Sequence, residues 1–211
     1  MMYTRYAVAA DLGAGRRVLE LGCGAGNGLG LVNARARHLV AADRSALLLK
    51  QARQQFRSRV PLVRLDAASL PFRDAAFDVV ICFEATYYFA DAAAVFNAIA
   101  RVLIPGGTVL FVNANPERLD FIPSQLSIAY HSAAAFLSVL TAHGFDVVVQ
   151  GAFPVDPVKA GPIARARAVA ATVARRLLVR VGLVPRTLRG RARLKRLIGR
   201  QLPLPPELPP H

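Results

Sequence analysis

The chain has 211 residues, 54% of them hydrophobic, which suits one domain of ordinary size with a sizeable core and an appendage. Its formal charge of +14 is uneven: residues 1–156 carry 14 Lys/Arg against 12 Asp/Glu, whereas residues 157–206 carry 13 Lys/Arg and no acid. Apolar runs fall short of the roughly 20 residues of a membrane span. No signal peptide is expected at the first residues. Cys23 and Cys82 with four scattered histidines argue against a disulfide framework and offer no metal-ligand spacing, so a cytoplasmic location and no metal are expected.

Residues 3–13 are expected to form a short helix leading into a sheet. Arg16 to Leu21 reads as the first strand. It enters Gly22-Cys-Gly-Ala-Gly26, where the backbone can take positive φ and a ligand can approach without meeting a Cβ. Asn27 to Arg35 is the first flanking helix. His38 to Asp43 is the second strand, ending in an acid. Ser45 suits the N-cap of a helix from Ala46 to about Arg57, and Leu21 and Leu47 are expected in the core. Val60 to Leu65 is a third strand and Asp66 to Phe72 a loop. Phe77 to Phe83 is almost continuously apolar, as a parallel strand buried on both faces should be. Asp91 caps a helix to about Leu103, and Pro105-Gly-Gly is a sharp turn into a fifth strand, Thr108 to Val112. Residues 113–131 form an irregular connection with Pro116 and Pro123. Ser132 caps a helix to His143, Gly144 ends it, and Phe145 to Gln150 is a sixth strand.

Strands alternating with helices at this spacing mean successive βαβ units: an α/β protein with a doubly wound, mostly parallel Rossmann-like sheet. That domain spans residues 1–156. Residues 157–211 read as a basic helical extension that can pack on the core and supply a last strand near Gln201–Leu204. On a helical wheel Arg165, Arg175, Arg176 and Arg180 share one arc, while Ile163, Val173, Leu177, Leu178 and Val181 share the other; Arg167 is the exception. This is the pattern of a membrane-surface element and equally of a solvated face on a core helix.

A strand, a glycine-rich turn and a helix form the entrance to a nucleotide site in an open α/β sheet. A dinucleotide fingerprint needs glycines at i, i+2 and i+5. Gly22, Gly24, Gly26, Gly28 and Gly30 all sit on even positions, so no pair is five apart. Glu20 is an acid at the end of a strand that should be apolar. The run Val18–Gly26, then Asp43, then Asp66-Ala-Ala-Ser-Leu-Pro-Phe72, then Phe77-Asp-Val-Val-Ile81, then Arg101-Val-Leu-Ile-Pro-Gly-Gly-Thr108 resembles the small-molecule methyltransferases of the ubiquinone-biosynthesis type. These belong to the Rossmann-like class that depends on S-adenosylmethionine (SAM). The resemblance covers about residues 16–150 and implies the SAM methyltransferase fold, an enzyme, and SAM as cofactor.

It also implies roles for particular residues. The backbone of Gly22, Cys23 and Gly24 faces the methionyl and ribose parts of SAM, and Gly26 admits the helix start. Glu20 lies near the amino end of SAM, or else only satisfies local backbone donors. Asp43 accepts the ribose hydroxyls as a bidentate pair; the alternative is a cap of the next helix. Asp66 accepts from the adenine amino group with the Ala67 N–H donating to the ring, or else forms an Asx turn. Arg44 flanks the adenine or is a solvated surface residue. Phe83 is placed on the cofactor side. Cys23 contributes backbone and is not read as a nucleophile.

Chemistry belongs at the carboxyl ends of strands four and five. Glu84 and His131 are the candidate bases, required only if the acceptor holds its proton near neutral pH; local structural roles are the alternatives. Tyr87, Tyr88 and Tyr130 are expected at an apolar acceptor pocket. The expected function is methyl transfer to a small, hydrophobic acceptor at O, N or C, with the basic extension held near anionic lipid or covering the acceptor pocket. An RNA or DNA methyltransferase and a non-catalytic SAM-fold scaffold are the alternatives. Against nucleic acid, the fourth strand is not followed by the Asp/Asn-Pro-Pro-aromatic motif of base-amino methyltransferases, and residues 157–211 lack aromatic stacking residues.

Overall fold

The computed structural model describes residues 2–117, 121, 123–124 and 126–149. The expected end of a sixth strand at Gln150, the basic helical extension and the strand near Gln201–Leu204 lie outside the described residues. The elements run α1 (Met2–Leu12), β1 (Arg17–Leu21), α2 (Leu29–Asn33), β2 (His38–Asp43), α3 (Ala46–Phe56), β3 (Leu62–Arg64), β4 (Phe77–Phe83), a 3₁₀ turn at Thr86–Tyr88, α4 (Ala92–Val102), β5 (Leu103–Val112) and α5 (Ala133–Ala142). The sheet order is β3-β2-β1-β4-β5, and all four pairings are parallel. The order reverses beside β1, so a crevice opens at the carboxyl ends of β1 and β4, the usual ligand position in such sheets.

Alternation along the strands divides the core. Leu19, Leu21, Val80 and Cys82 pack with Val95, Phe96, Ile99, Val102 and Leu140 of α4 and α5. Val18, Val79, Ile81 and Phe83 pack on the other face with Tyr6, Leu29, Val32, Leu49 and Phe56 of α1, α2 and α3. Because strand side chains have a period of two, Glu20 faces the α1–α3 layer with Val18. Described helices therefore cover both faces, as a doubly wound sheet requires. No helix among the described residues is long and apolar enough to cross a membrane.

Several expectations give way to local physics. Helix α2 is shorter than Asn27–Arg35, since Gly28 and Gly30 fall in that stretch and an interior glycine costs about 1 kcal/mol in a helix. Strand β3 begins at Leu62; Pro61 still accepts from the Ala41 N–H but has no N–H of its own to return. The Pro105-Gly-Gly segment is not a turn before a strand. Leu103 already pairs with Phe77, the register shifts, and Thr108 pairs with Val79, so the segment is a bulge inside β5, with Gly106 at φ +72°. Residues 145–149 form no strand: Phe145 and Val147 pack onto the core while Val148 is 81% exposed, so the alternation is met by packing without a ladder. Leu47 is 68% exposed and not in the core, because the inward stripe of α3 is Leu49, Ala52 and Phe56 and Leu47 lies opposite it.

The base of the sheet carries a bidentate pair. Arg17 donates from Nε and from one terminal nitrogen to the Asp78 carboxylate at 3.1 and 2.8 Å, and its backbone N–H adds a 2.7 Å bond. These bonds, those of the Arg17 side chain first, hold the Asp78 carboxyl at about 2, below the usual 3.8. A depressed folded value gives stability that is present above pH 3.8 and is lost as pH falls toward 2. Thermal unfolding followed from pH 5 to pH 2 should show that loss, and it should be reduced in Asp78→Asn.

Candidate functional site

The site is organised by the glycine loop after β1. Gly22 and Cys23 both donate to the Ala42 carbonyl, at 2.8 and 3.0 Å, and Gly26 donates to the Cys23 carbonyl at 3.0 Å. Gly24 donates to Asp43 Oδ2 at 2.8 Å, while Asp43 Oδ1 accepts from the Ser45 N–H at 2.7 Å. Ser45 itself caps α3, its hydroxyl accepting from the Leu48 N–H at 3.3 Å. Asp43 therefore bridges the loop and the start of α3, and each of its oxygens retains further acceptor capacity. With these four amides engaged internally, they are not available to cradle a pyrophosphate, which needs free N–H donors.

The glycines serve different purposes. Gly22, Gly24 and Gly26 have φ of +76°, +57° and +83°. A Cβ at Gly22 would meet Ala85 Cβ at 2.6 Å and one at Gly26 would meet Phe56 at 2.9 Å, so these two admit close packing. At Gly24 the nearest atom would be Leu48 Cδ1 at 4.0 Å, so its outer side is open for a ligand. Gly28 is the tightest position: a Cβ there would stand 2.2 Å from the Tyr6 ring.

Glu20 is only 1% exposed. Its Oε1 accepts from the Tyr6 hydroxyl at 2.6 Å, and its Oε2 has no hydrogen-bond partner among the described residues. Burial pushes the Glu20 carboxyl from 4.5 up to about 7, opposed by the Tyr6 bond. Burial first, then the neighbouring Glu20 charge, pushes the Tyr6 phenol up, so Tyr6 stays protonated and donates. The Cys23 and Cys82 thiols are likewise pushed up by burial, then by Glu20, which leaves neither as a ready thiolate.

The remaining expected residues divide into groups. Asp66 is exposed and its Oδ1 accepts from the Ala68 N–H at 3.0 Å, so the Asx turn forms. Ala67 lies beside it and packs against the core. Arg44 is exposed; its carbonyl accepts from Arg64 Nε at 3.2 Å. Phe83 is buried, edge-on to Tyr6 at 5.1 Å. Glu84 has φ +52°, an uncommon backbone for a non-glycine residue, and its N–H donates to Val112 O at 2.7 Å. One Glu84 oxygen accepts from Arg5 at 3.0 Å.

The three aromatic residues expected at the acceptor pocket come together. Tyr87 stacks on Tyr130 with centroids 4.6 Å apart and lies 4.5 Å from Tyr88, and Phe121 meets Tyr130 edge-on at 4.6 Å. Backbone bonds from Ile128 and Ala129 to Tyr87 O, and from Ser124 N–H to the Tyr130 hydroxyl, fold the connection over the end of β4. Burial, then Glu84, pushes the Tyr87 phenol up. His131 is exposed next to the α5 cap.

Arg5, Tyr6 and Phe121 escaped the sequence reading. Nothing in the spacing of α1 separates Tyr6 from Tyr3. The available signal was Gly28, a glycine beyond those the loop requires, which marks a close approach by another group.

Residues 19–111 match a protein family described as a methyltransferase domain. The chain is 34% identical over 140 residues to a Mycolicibacterium smegmatis protein named "Probable S-adenosylmethionine-dependent methyltransferase", covering 64% of this chain and 53% of that one. It is 37% identical over 122 residues to phthiotriol/phenolphthiotriol dimycocerosates methyltransferase 1 of Mycobacterium ulcerans, covering 55% of this chain and 44% of that one. The chain thus spans about half the length of these curated relatives. An S-adenosylmethionine-dependent methyltransferase from Mesorhizobium loti superposes with a TM-score of 0.59 at 21% identity, over 72% of this chain and 85% of that one, a likeness of fold.

Glu20 makes a stability prediction of its own. A carboxyl whose folded value is raised favours folding below its unfolded value, and that contribution is lost as pH rises through the folded value. Free-protein stability should therefore fall between pH 4.5 and 7, by on the order of 3 kcal/mol. Glu20→Gln should abolish this slope and raise the melting temperature above pH 7, as read by calorimetry across pH 4–8.

Proposed function

We propose that this chain, whose residues 19–111 match a methyltransferase domain, binds SAM and transfers its methyl group to a small, hydrophobic acceptor. The observation that carries the reading is the buried Glu20 carboxylate, whose Oε2 has no partner among the described residues, beside a loop whose amides at Gly22, Cys23, Gly24 and Gly26 are already engaged. An orphaned buried carboxylate oxygen suits a cation, and a loop with four of its amides turned inward offers fewer donors to a phosphate. The ammonium-bearing methionyl end of SAM suits both features better than the pyrophosphate of a dinucleotide does.

The residues present fit that cofactor. Glu20 would oppose its ammonium group, and Gly24 would allow close approach on its open side. Asp43 has lone pairs left for the ribose hydroxyls. Asp66 and Ala67 would read the adenine edge, with Arg44 as a flanking residue. When bound, SAM supplies a methyl group on a sulfonium centre that is already activated toward a nucleophile. The chain's own work is then to orient the acceptor and exclude water.

Tyr87, Tyr88, Tyr130 and Phe121 form an aromatic wall at the end of β4, which supports an apolar acceptor. The likeness to a methyltransferase named for phthiotriol and phenolphthiotriol dimycocerosates supports the same class. Glu84 is the better placed of the two candidate bases, because it adjoins Tyr87 while His131 lies out at the α5 cap. Arg5 holds one Glu84 oxygen, leaving the other to accept an acceptor proton where the acceptor carries one.

Titration calorimetry should detect SAM and its demethylated product at micromolar affinity and no binding of NAD. Asp43→Ala should weaken SAM roughly tenfold or more, by removing charge-assisted bonds worth about 1.5–3 kcal/mol. Methyl-labelled SAM incubated with cell extract should pass label to the organic-soluble fraction. Absence of binding at millimolar SAM refutes the reading, and label found in RNA refutes the acceptor class.

A further inference from the structure

Helix α1 is fastened to the site by two consecutive residues, each holding a carboxylate on a different strand end. Arg5 reaches Glu84, after β4, at 3.0 Å, and Tyr6 reaches Glu20, on β1, at 2.6 Å. The Tyr6 ring is 7% exposed. It lies edge-on to Phe83 at 5.1 Å and against Gly28, where no Cβ can be accommodated. A seat is thus cut for this ring in the strand–loop–helix unit. Glu20 has two oxygens: one is held by α1, and the other is orphaned in the core.

We propose that α1 is the closing element of the cofactor site and that Tyr6 is its positioning residue, sharing Glu20 with the ammonium group of SAM. The proposal rests on the SAM reading above. The two partners favour the same form of Glu20. The Tyr6 hydroxyl donates to the carboxylate and stabilises its ionised state, and the ammonium group requires that state. Each therefore strengthens the other, and occupancy of the cofactor site tightens α1. Arg5 extends the effect to Glu84, at the acceptor side.

The titratable groups around Glu20 are Tyr6 from α1, Cys23 from the loop and Cys82 from β4, with Arg5 adjacent on α1. Tyr6 and both thiols remain protonated near neutrality because burial pushes them up. Glu20, raised to about 7, is then the member of this group that titrates between pH 5.5 and 7.5.

The test uses the full chain and SAM itself. Calorimetry from pH 5.5 to 7.5 should show wild-type affinity rising with pH as Glu20 ionises. Tyr6→Phe keeps the ring and removes the donor. It should shift that rise to higher pH by about one unit and weaken binding about fivefold at pH 7 and about tenfold at pH 5.5, one pH unit corresponding to a factor of ten where Glu20 is mostly protonated. Gly28→Ala leaves Glu20 and the Tyr6 hydroxyl intact but evicts the ring, and should give the same displacement. Hydrogen exchange of amides 3–12 should slow on adding SAM in the wild type and not in Tyr6→Phe. An unchanged affinity and pH profile in folded Tyr6→Phe overturns the proposal, as does a weakening without a shift in pH profile. No binding by the wild type at millimolar SAM overturns the cofactor reading itself, and this proposal with it.

Discussion

A carboxylate in the middle of an apolar layer governs much of this structure. Glu20 sits on β1, which has parallel neighbours on both sides, and its period-two alternation with Val18 directs it into the α1–α3 layer. Water cannot reach it there, so an isolated ionised carboxylate would be heavily penalised. Among the described residues one donor reaches it, the Tyr6 hydroxyl. That donor holds only if α1 is seated, and α1 seats only because Gly28 has no side chain. An apolar residue at position 20 would relieve the core of this burden. An acid at this position fits a site that uses a carboxylate at some expense of stability, the trade-off expected where function and folding compete.

The glycine loop follows the same logic. In a phosphate-binding turn the backbone donors point outward, and the helix start contributes its own. Here the donors of Gly22 and Cys23 close on Ala42, Gly24 closes on Asp43, and α2 begins only at Leu29. The loop is thus braced by the end of β2 and presents an open face at Gly24. Electrostatics comes from side chains on three strand ends: Glu20, Asp43 and Glu84. All three are acids, in a domain whose net charge is slightly positive. The site is therefore locally negative, which suits a sulfonium-bearing, ammonium-bearing ligand.

What the sequence made legible follows from where information is local. Strands β2 and β4 have the expected limits because their apolar runs are bounded by polar residues. Ser45, Asp91 and Ser132 cap helices as expected because a cap needs only a side-chain oxygen and an amide three residues on. Tyr87, Tyr88 and Tyr130 were expected at one pocket, and their rings do meet. The misses are non-local. Pro105-Gly-Gly resembles a turn in isolation, and only the pairing of Leu103 with Phe77 makes it a bulge. Phe145 to Val149 has a strand's alternation, but alternation does not specify a hydrogen-bonded partner. Leu47 required knowledge of which stripe of α3 faces the sheet. Tyr6 and Arg5 act across 14 and 79 residues, and no spacing rule spans such separations.

Helix α1 ties these strands of argument together. Arg5 and Tyr6 are adjacent in sequence, so on a helix they project about 100° apart, and the two carboxylates they hold belong to neighbouring strands. In the proposed reading one would face the cofactor and the other the acceptor, beside Tyr87. Neither carboxylate can be re-paired without moving the helix that serves the other. Glu84 also carries a left-handed backbone, which its 2.7 Å bond to Val112 and the ion pair to Arg5 help to hold. Strain of that kind persists only where surroundings over-determine it. Under the proposed reading, the helix that precedes β1 would link the charge that receives the cofactor to the segment that receives the acceptor.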